Sequence, residues 1–234
     1  MLVVRKALDR GFADHGWLKS YHSFSFANYY DPAHMGFGNL RVINEDRIAA
    51  GTGFGTHGHQ NMEIVSFVMD GLLGHQDSMG NKTHIAPLEI QRMSAGTGIR
   101  HSEMNAAAQT THFLQIWIEP NEVNVKPSYE QEKLDPKSSD GQLVRIAAPM
   151  HDTQATHVRL HADASIWWGR FNAEQTQTME LLLARKTYVY VVRGELEVGQ
   201  HHLQAGDALL VSNESALEFK NGLKAEVLVF DLSS

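Results

Sequence analysis

The sequence predicts an all-β protein built from two similar barrels in tandem. Three observations carry this reading. Short apolar or alternating runs follow one another between glycines, asparagines and aspartates. Long stretches of helical period are absent. The order of elements in the first half then returns in the second.

In chain order, strands are expected at 40–43, 64–69, 90–93 and 113–118. In the second half they fall at 143–146, 158–161, 166–171, 181–184, 188–192, 196–198, 208–211 and 227–232. These runs are rich in Val, Ile, Phe, Trp and Tyr, which fit a pleated, half-buried surface. Residues 150–180 leave room for one short helix.

The repeat sets the domain plan. Phe67-Val-Met-Asp-Gly71 leads through a hairpin to Glu89-Ile-Gln-Arg-Met-Ser94 and then to the run 111–118. Tyr190-Val-Val-Arg-Gly194 leads through a hairpin to Gly206-Asp-Ala-Leu-Leu-Val-Ser212 and then to 225–232. The polar stretch 130–142 offers little that could pack and reads as the solvated link. The expected domains are therefore 1–132 and 133–234.

Bulk properties narrow the function. Apolar residues make up 42% and charged residues 20% of the chain, which excludes a disordered protein. The net charge is −7 with no basic block, so direct nucleic-acid binding is not expected. The absence of cysteine removes disulfides, thiolate metal sites and cysteine nucleophiles, and suits a reducing compartment. No apolar run reaches the ~20 residues of a membrane span, and MLVVRKALDRG does not resemble a secretory signal. The expectation is a cytoplasmic protein with no membrane contact.

Fourteen histidines direct attention to metal chemistry. His57 and His59 stand two residues apart beside a strand, and residues i and i+2 of a strand share a face. Alone this is a weak signal, since roughly one His-x-His arises by chance in such a composition. His101 and Glu103 repeat the spacing. Two such pairs on neighbouring strands, ~5 Å apart, would bring four ligand-type side chains around one ion. The site would carry a net charge near +1 and leave one or two positions open. Such a nitrogen and oxygen donor set suits Fe(II) and O2, and also admits Mn, Co, Ni, Cu or Zn. Phe54, Ile64 and Met93 would line an apolar mouth fit for a flat aromatic ligand.

Gly51-x5-His57-x-His59-x3-Glu63 resembles the first cupin motif, and Gly98-x2-His101-x3-Asn105 resembles the second. A closer resemblance is to the pirin family, specifically bacterial pirin-like proteins with quercetin 2,3-dioxygenase activity. It is carried by His15-Gly-Trp17, the run from His22 to Pro32, Met35-Gly-Phe37, Leu40-Arg-Val-Ile43 and Gly53-Phe-Gly-Thr-His57-Gly-His59. It continues through the run from His75 to Asn81, the run from Met93 to Glu103, Leu114-Gln-Ile-Trp-Ile118 and Pro127-Ser-Tyr-Glu-Gln131. These segments cover most of residues 1–131, whereas the C-terminal half matches only in general pattern.

The resemblance implies a bicupin of jelly-roll type whose N-terminal barrel holds one metal ion, usually iron, through His57, His59, His101 and Glu103. The general cupin motif would make Glu63 a ligand. The pirin pattern favours Glu103 and leaves Glu63 to hydrogen-bond a ligand. Gly58 stands where proline would be expected between the first two histidines. In the repeat, His101 falls opposite Phe219, Glu103 opposite Asn221, and His57 and His59 opposite Glu180 and Leu182. The second barrel is therefore expected to bind no metal.

Of the other histidines, His22 and His75 read first as ordinary polar strand residues, with lining the pocket as the lesser alternative. His151, His157 and His161 read as structural or exposed, and His201 and His202 as solvated. Trp167 and Trp168 read as packing residues. The resemblance implies a dioxygenase that opens the central ring of a flavonol such as quercetin with O2, with Glu103 accepting or orienting the 3-hydroxyl proton. The alternative is a non-enzymatic, redox-sensitive metal-binding module that acts on a protein partner. A monomer is expected in either case.

Overall fold

The computed structural model describes residues 1–154 and 156–234. The chain forms two compact units that interleave in sequence. One comprises Gly11–Leu134 and Pro149–Asp163; the other comprises Met1–Arg10, Asp135–Ala148 and Ala164–Ser234. Apart from the single 3-10 turn Ala7–Asp9, the regular elements among the described residues are strands. The short helix expected within 150–180 does not form among them; strands Val158–Leu160, Ala164–Ala173 and Gln177–Glu180 take that stretch. No helix among the described residues is long and apolar enough to cross a membrane.

The N-terminal unit is a sandwich of two antiparallel sheets. The larger runs Ser128–Lys133, Glu89–Ser94, Glu63–Asp70, Thr111–Ile118, Leu40–Ile48, Leu18–His22, Gly11–Asp14. The smaller runs Gly53–His59, Ile99–Asn105, Leu73–Asp77, Lys82–Ile85. Two apolar clusters join the sheets. Leu18, Ile48, Val68 and Phe113 meet Leu73 and Ile85, while Ile64 and Met93 meet Ile99. The same unit also buries polar side chains, among them Ser20, His22, Asn44, Asp46, Ser66, Gln91 and Gln115.

The stretch expected to begin the linker departs from that reading. Ser128–Lys133 is an edge strand paired with Glu89–Ser94. Glu130 is not merely solvated: it pairs with buried Arg92 at 2.8 Å and accepts the Arg159 backbone N–H at 2.7 Å. An edge strand wets one side, so it carries the polar sequence SYEQEK without an apolar signal.

In the C-terminal unit, Leu2–Arg5, Ala208–Ser212, Lys186–Val198, Ala216–Leu232, Ala164–Ala173 and Leu143–Pro149 pair in that order. Lys186–Val198 and Ala216–Leu232 are long, and their register shifts at Val191/Arg193, Arg193/Glu195 and Glu195/Glu197. Such bulges bend and twist a strand, which lets one sheet close around a core. One large apolar cluster fills it, with Phe171, Val189, Val191, Leu209, Phe219 and Val229 among its members. The strand expected at 181–184 is absent. Pairing stops at Glu180, and Leu182 and Leu183 stand 69% and 61% exposed before a turn.

Candidate metal centre

Strands Gly53–His59 and Ile99–Asn105 pair with His57 directly opposite His101 and His59 opposite Ile99. Alternation along the first strand puts His57 and His59 on one face, and the register brings His101 onto that face from the next strand. A shift between His101 and Glu103 sets Glu103 opposite Phe54. Here the backbones come close: a Cβ on Gly53 would lie 2.2 Å from the Glu103 carbonyl oxygen, so this position excludes a side chain.

The three imidazoles meet. One ligand atom from each of His57, His59 and His101 lies within 4.8 Å of the others. His59 Nε2 and His101 Nε2 face each other at 3.0 Å. Two nitrogens each ~2.1 Å from one ion, at roughly a right angle, stand about that far apart. His57 Nδ1 lies 2.8 Å from the Gly55 carbonyl, so Nδ1 carries the proton and Nε2 is left as the donor atom.

Burial, reinforced by the charge His57 would carry, lowers the His59 pKa to about 4. Burial and the charges of His57 and His59 lower that of His101 to about 3. Both rings are therefore neutral at neutral pH with lone pairs available, and the donor set fits a divalent cation.

Glu103 is buried in the same interior, but its carboxylate is not among the atoms that converge with the three histidines. It accepts hydrogen bonds from Gln115 Nε2 at 2.7 Å and Ser66 Oγ at 3.4 Å. Burial raises its pKa to about 7; the Gln115 bond opposes that rise and the charge of Asp46 adds to it. Glu63 turns elsewhere: Ser94 Oγ donates to it at 2.9 Å and the His161 backbone N–H at 3.1 Å, so its partners are not the three histidines.

Aromatic side chains flank the cluster on two sides. Trp117 meets His59 edge-on at 5.0 Å and packs against Phe26 at 5.4 Å. Phe54 lies 6.4 Å from His57 and packs against Trp17. Of the expected mouth residues, Phe54 is half-buried beside the cluster. Ile64 and Met93 are sealed in the core and line no opening.

His22 is buried with Nδ1 2.8 Å from Asn44 Oδ1 and its ring stacked on Tyr29. His75 lies 5.4 Å from His101, ring to ring. Trp117, Phe26, Asp46, Gln115 and Asp77 were not singled out as site residues from the sequence, although all but Asp46 lie in the runs that carry the family resemblance. Only Asp77 left a readable signal, since His75-x-Asp77 repeats the same-face spacing of the histidine pair.

Comparison with known proteins agrees with this architecture. Residues 3–118 match the family model Pirin, and residues 146–232 match the quercetinase C-terminal cupin domain. Quercetin 2,3-dioxygenase of Escherichia coli (strain K12) is 44% identical over 234 residues, spanning 99% of each chain. A pirin-like protein of Caulobacter vibrioides is 39% identical over 98% of this chain and 99% of its own. The crystal structure of the bacterial pirin YhhW from Escherichia coli in complex with nickel(II) has a TM-score of 0.92 at 40% identity, over 100% of this chain and 99% of that one. With two family models placed one after the other and full-length relatives at this identity, the chain belongs to the pirin family of bicupins.

Proposed function

We propose that this protein is a metal-dependent dioxygenase that opens the central ring of a flavonol such as quercetin with O2. The carrying observation is the meeting of three imidazoles, His57, His59 and His101, inside a barrel with aromatic side chains on two sides. These three residues and Glu103 would hold one divalent ion, Fe(II) by preference. The ion would supply Lewis-acid assistance, lowering the pKa of a bound hydroxyl, and a partner for O2.

The chain's own part is to position and to accept a proton. Trp117, Phe26 and Phe54 offer apolar surface to a flat ring system. Glu103, steadied by Gln115 and Ser66 and with its pKa raised to about 7, suits the acceptor of the 3-hydroxyl proton near neutral pH. The reading assigns metal binding to residues 1–132 and leaves 133–234 metal-free, in a cytoplasmic monomer. The names of the Escherichia coli relatives, one a quercetin 2,3-dioxygenase and one a nickel(II) complex, support it.

The test is a metal assay on purified protein together with quercetin consumption and CO release under O2. About one equivalent of metal is expected, with turnover lost in His57→Ala and His101→Ala. Bound metal with no turnover would end the dioxygenase reading; absence of metal even after reconstitution would end the metal site.

A further inference from the structure

Beside the histidine cluster stands a buried pair with no role in the reading above. His75 and Asp77 lie on Leu73–Asp77, the next strand after Ile99–Asn105, with Asp77 opposite His101 and His75 opposite Glu103. His75 Nε2 lies 3.0 Å from Asp77 Oδ2, and both side chains are hidden from water. The His75 ring also packs against Tyr129, with centroids 4.9 Å apart.

Two nitrogens in this region are buried without a partner, His75 Nδ1 and His101 Nδ1. A buried polar atom left unpaired costs about 1–3 kcal/mol, so both require explanation. Asp77 takes four donors: the backbone N–H groups of Met79 and Asn81 on Oδ1, and Asn81 Nδ2 and His75 Nε2 on Oδ2. Its acceptor capacity is full. An ionised carboxylate has no proton to give, so His75 Nε2 carries the hydrogen and His75 Nδ1 is a bare lone pair. His101 has the opposite requirement. With Nε2 turned to His59 and committed to an ion, its proton sits on Nδ1, which then needs an acceptor. Asp77 cannot serve. His75 Nδ1 is an open acceptor on a neighbouring ring, whose centroid lies 5.4 Å from that of His101.

We propose that Asp77, His75 and His101 form an orienting chain that engages when metal binds, with the His101 Nδ1–H donated to His75 Nδ1 directly or through one water. The proposal rests on His101 being a ligand. His75 and Asp77 are positioning residues: they fix the ring angle of His101 and increase its electron donation, and they touch neither metal nor substrate. The Met79 and Asn81 contacts give Asp77 a second duty in the turn, so its role in the chain must be separated from its role in folding.

The experiment is nickel(II) affinity, measured by chelator competition on full-length protein, with metal-free thermal unfolding alongside. His75→Ala should weaken nickel binding about 10–100-fold, the usual effect of losing such a partner. Asp77→Asn keeps the shape but can donate to His75 Nε2, which moves the His75 proton to Nδ1 and sets it against that of His101. It should therefore weaken binding about as much as His75→Ala, and the double variant little more than either. The 15N resonances of His75 should show a bare Nδ1 in the wild type and a protonated Nδ1 in Asp77→Asn, a change a merely structural role would not produce. Asn81→Ala, which strips the turn but spares the chain, should lower the melting temperature and leave affinity within about two-fold. Wild-type binding of one equivalent, with His75→Ala and Asp77→Asn both within two-fold of it, would overturn the chain while leaving the metal centre intact. Failure of the wild type to bind nickel, or binding indifferent to His101→Ala, would overturn the metal centre and the chain with it.

Discussion

Phe219 in the C-terminal barrel lies nearly parallel to Phe171, centroids 5.8 Å apart, inside a large apolar cluster. At the position aligned with it in the N-terminal barrel, His101 meets His57 and His59 among buried acids, amides and hydroxyls. The same succession of strands has thus been filled twice. One filling maximises burial of apolar surface, at roughly 25 cal/mol per Å². The other divides its apolar contacts into two clusters and accepts desolvation of Asp46, His75, His101 and Glu103. A metal ion that binds only the folded barrel would offset that cost by mass action. On the proposed reading the first barrel carries the site and the second would serve stability.

The largest test exchanges losses between the barrels. Phe219→Ala leaves a cavity in a dry core and should cost about 3–5 kcal/mol, read as a fall in unfolding midpoint with metal uptake unchanged. His101→Ala should do the reverse, with nickel affinity falling at least about 100-fold, beyond what loss of an outer partner causes, and metal-free stability barely moved. If Phe219→Ala proved as harmless as His101→Ala in the absence of metal, the division of labour would be wrong.

The second test sharpens the role of Glu103. Burial, with Asp46 adding to it, puts its pKa at about 7, while His59 and His101 lose their protons near 4 and 3. Above about pH 5 His59 and His101 do not compete with metal for protons; Glu103 still does. Wild-type nickel affinity should therefore fall about tenfold per pH unit below 7, and Glu103→Gln should flatten that slope while lowering the plateau. A flat wild-type profile would remove Glu103 from the ligand set.

Asp46 supplies a smaller effect. Burial first, then the nearby Glu45, raises its pKa to about 7, while a Ser20 hydrogen bond opposes them. A carboxyl whose folded pKa is raised lends its full stability below the unfolded value, near 4, and loses it as pH rises toward 7. Asp46→Asn should thus stabilise the metal-free protein by about 1–3 kcal/mol at pH 8 and hardly at all at pH 4. Thermal melts at the two pH values decide it, and equal gains at both would mean that the carboxyl is not held protonated.

How much of this was legible in the sequence follows the same division. Glu63–Asp70 and Thr111–Ile118 declare themselves because both faces are buried and the run is almost continuously apolar. Gly11–Asp14, Leu18–His22 and Ser128–Lys133 passed unread because edge and near-edge strands mix polar and apolar side chains over only a few residues. The run at 181–184 misled for the converse reason: three consecutive leucines look like a strand, yet the chain turns there and leaves two of them in water. At the centre, the three histidines were readable because two-residue spacing survives in sequence. Gln115, Asp46 and Trp117 were not, since strand order alone brings them from distant segments to the same interior. Local period announces a face, and topology decides what else shares it.

The smallest predicted effect lies at Gly58, where proline was expected. The residue is exposed on the strand that bears His57 and His59 and pairs with Arg100. A Cβ there would meet only the Ile99 carbonyl at 3.6 Å and Arg100 Cγ at 3.9 Å, ordinary contacts. Its backbone also lies outside the left-handed region. Nothing local demands glycine, and glycine within a strand gives up conformational entropy on folding. Gly58→Ala should raise stability by about 0.4–1 kcal/mol by restricting the unfolded chain, with nickel affinity unchanged. If stability rose but affinity fell, the freedom of the His57-Gly58-His59 segment would itself belong to metal capture, and the working barrel would be trading rigidity as well as burial for its site.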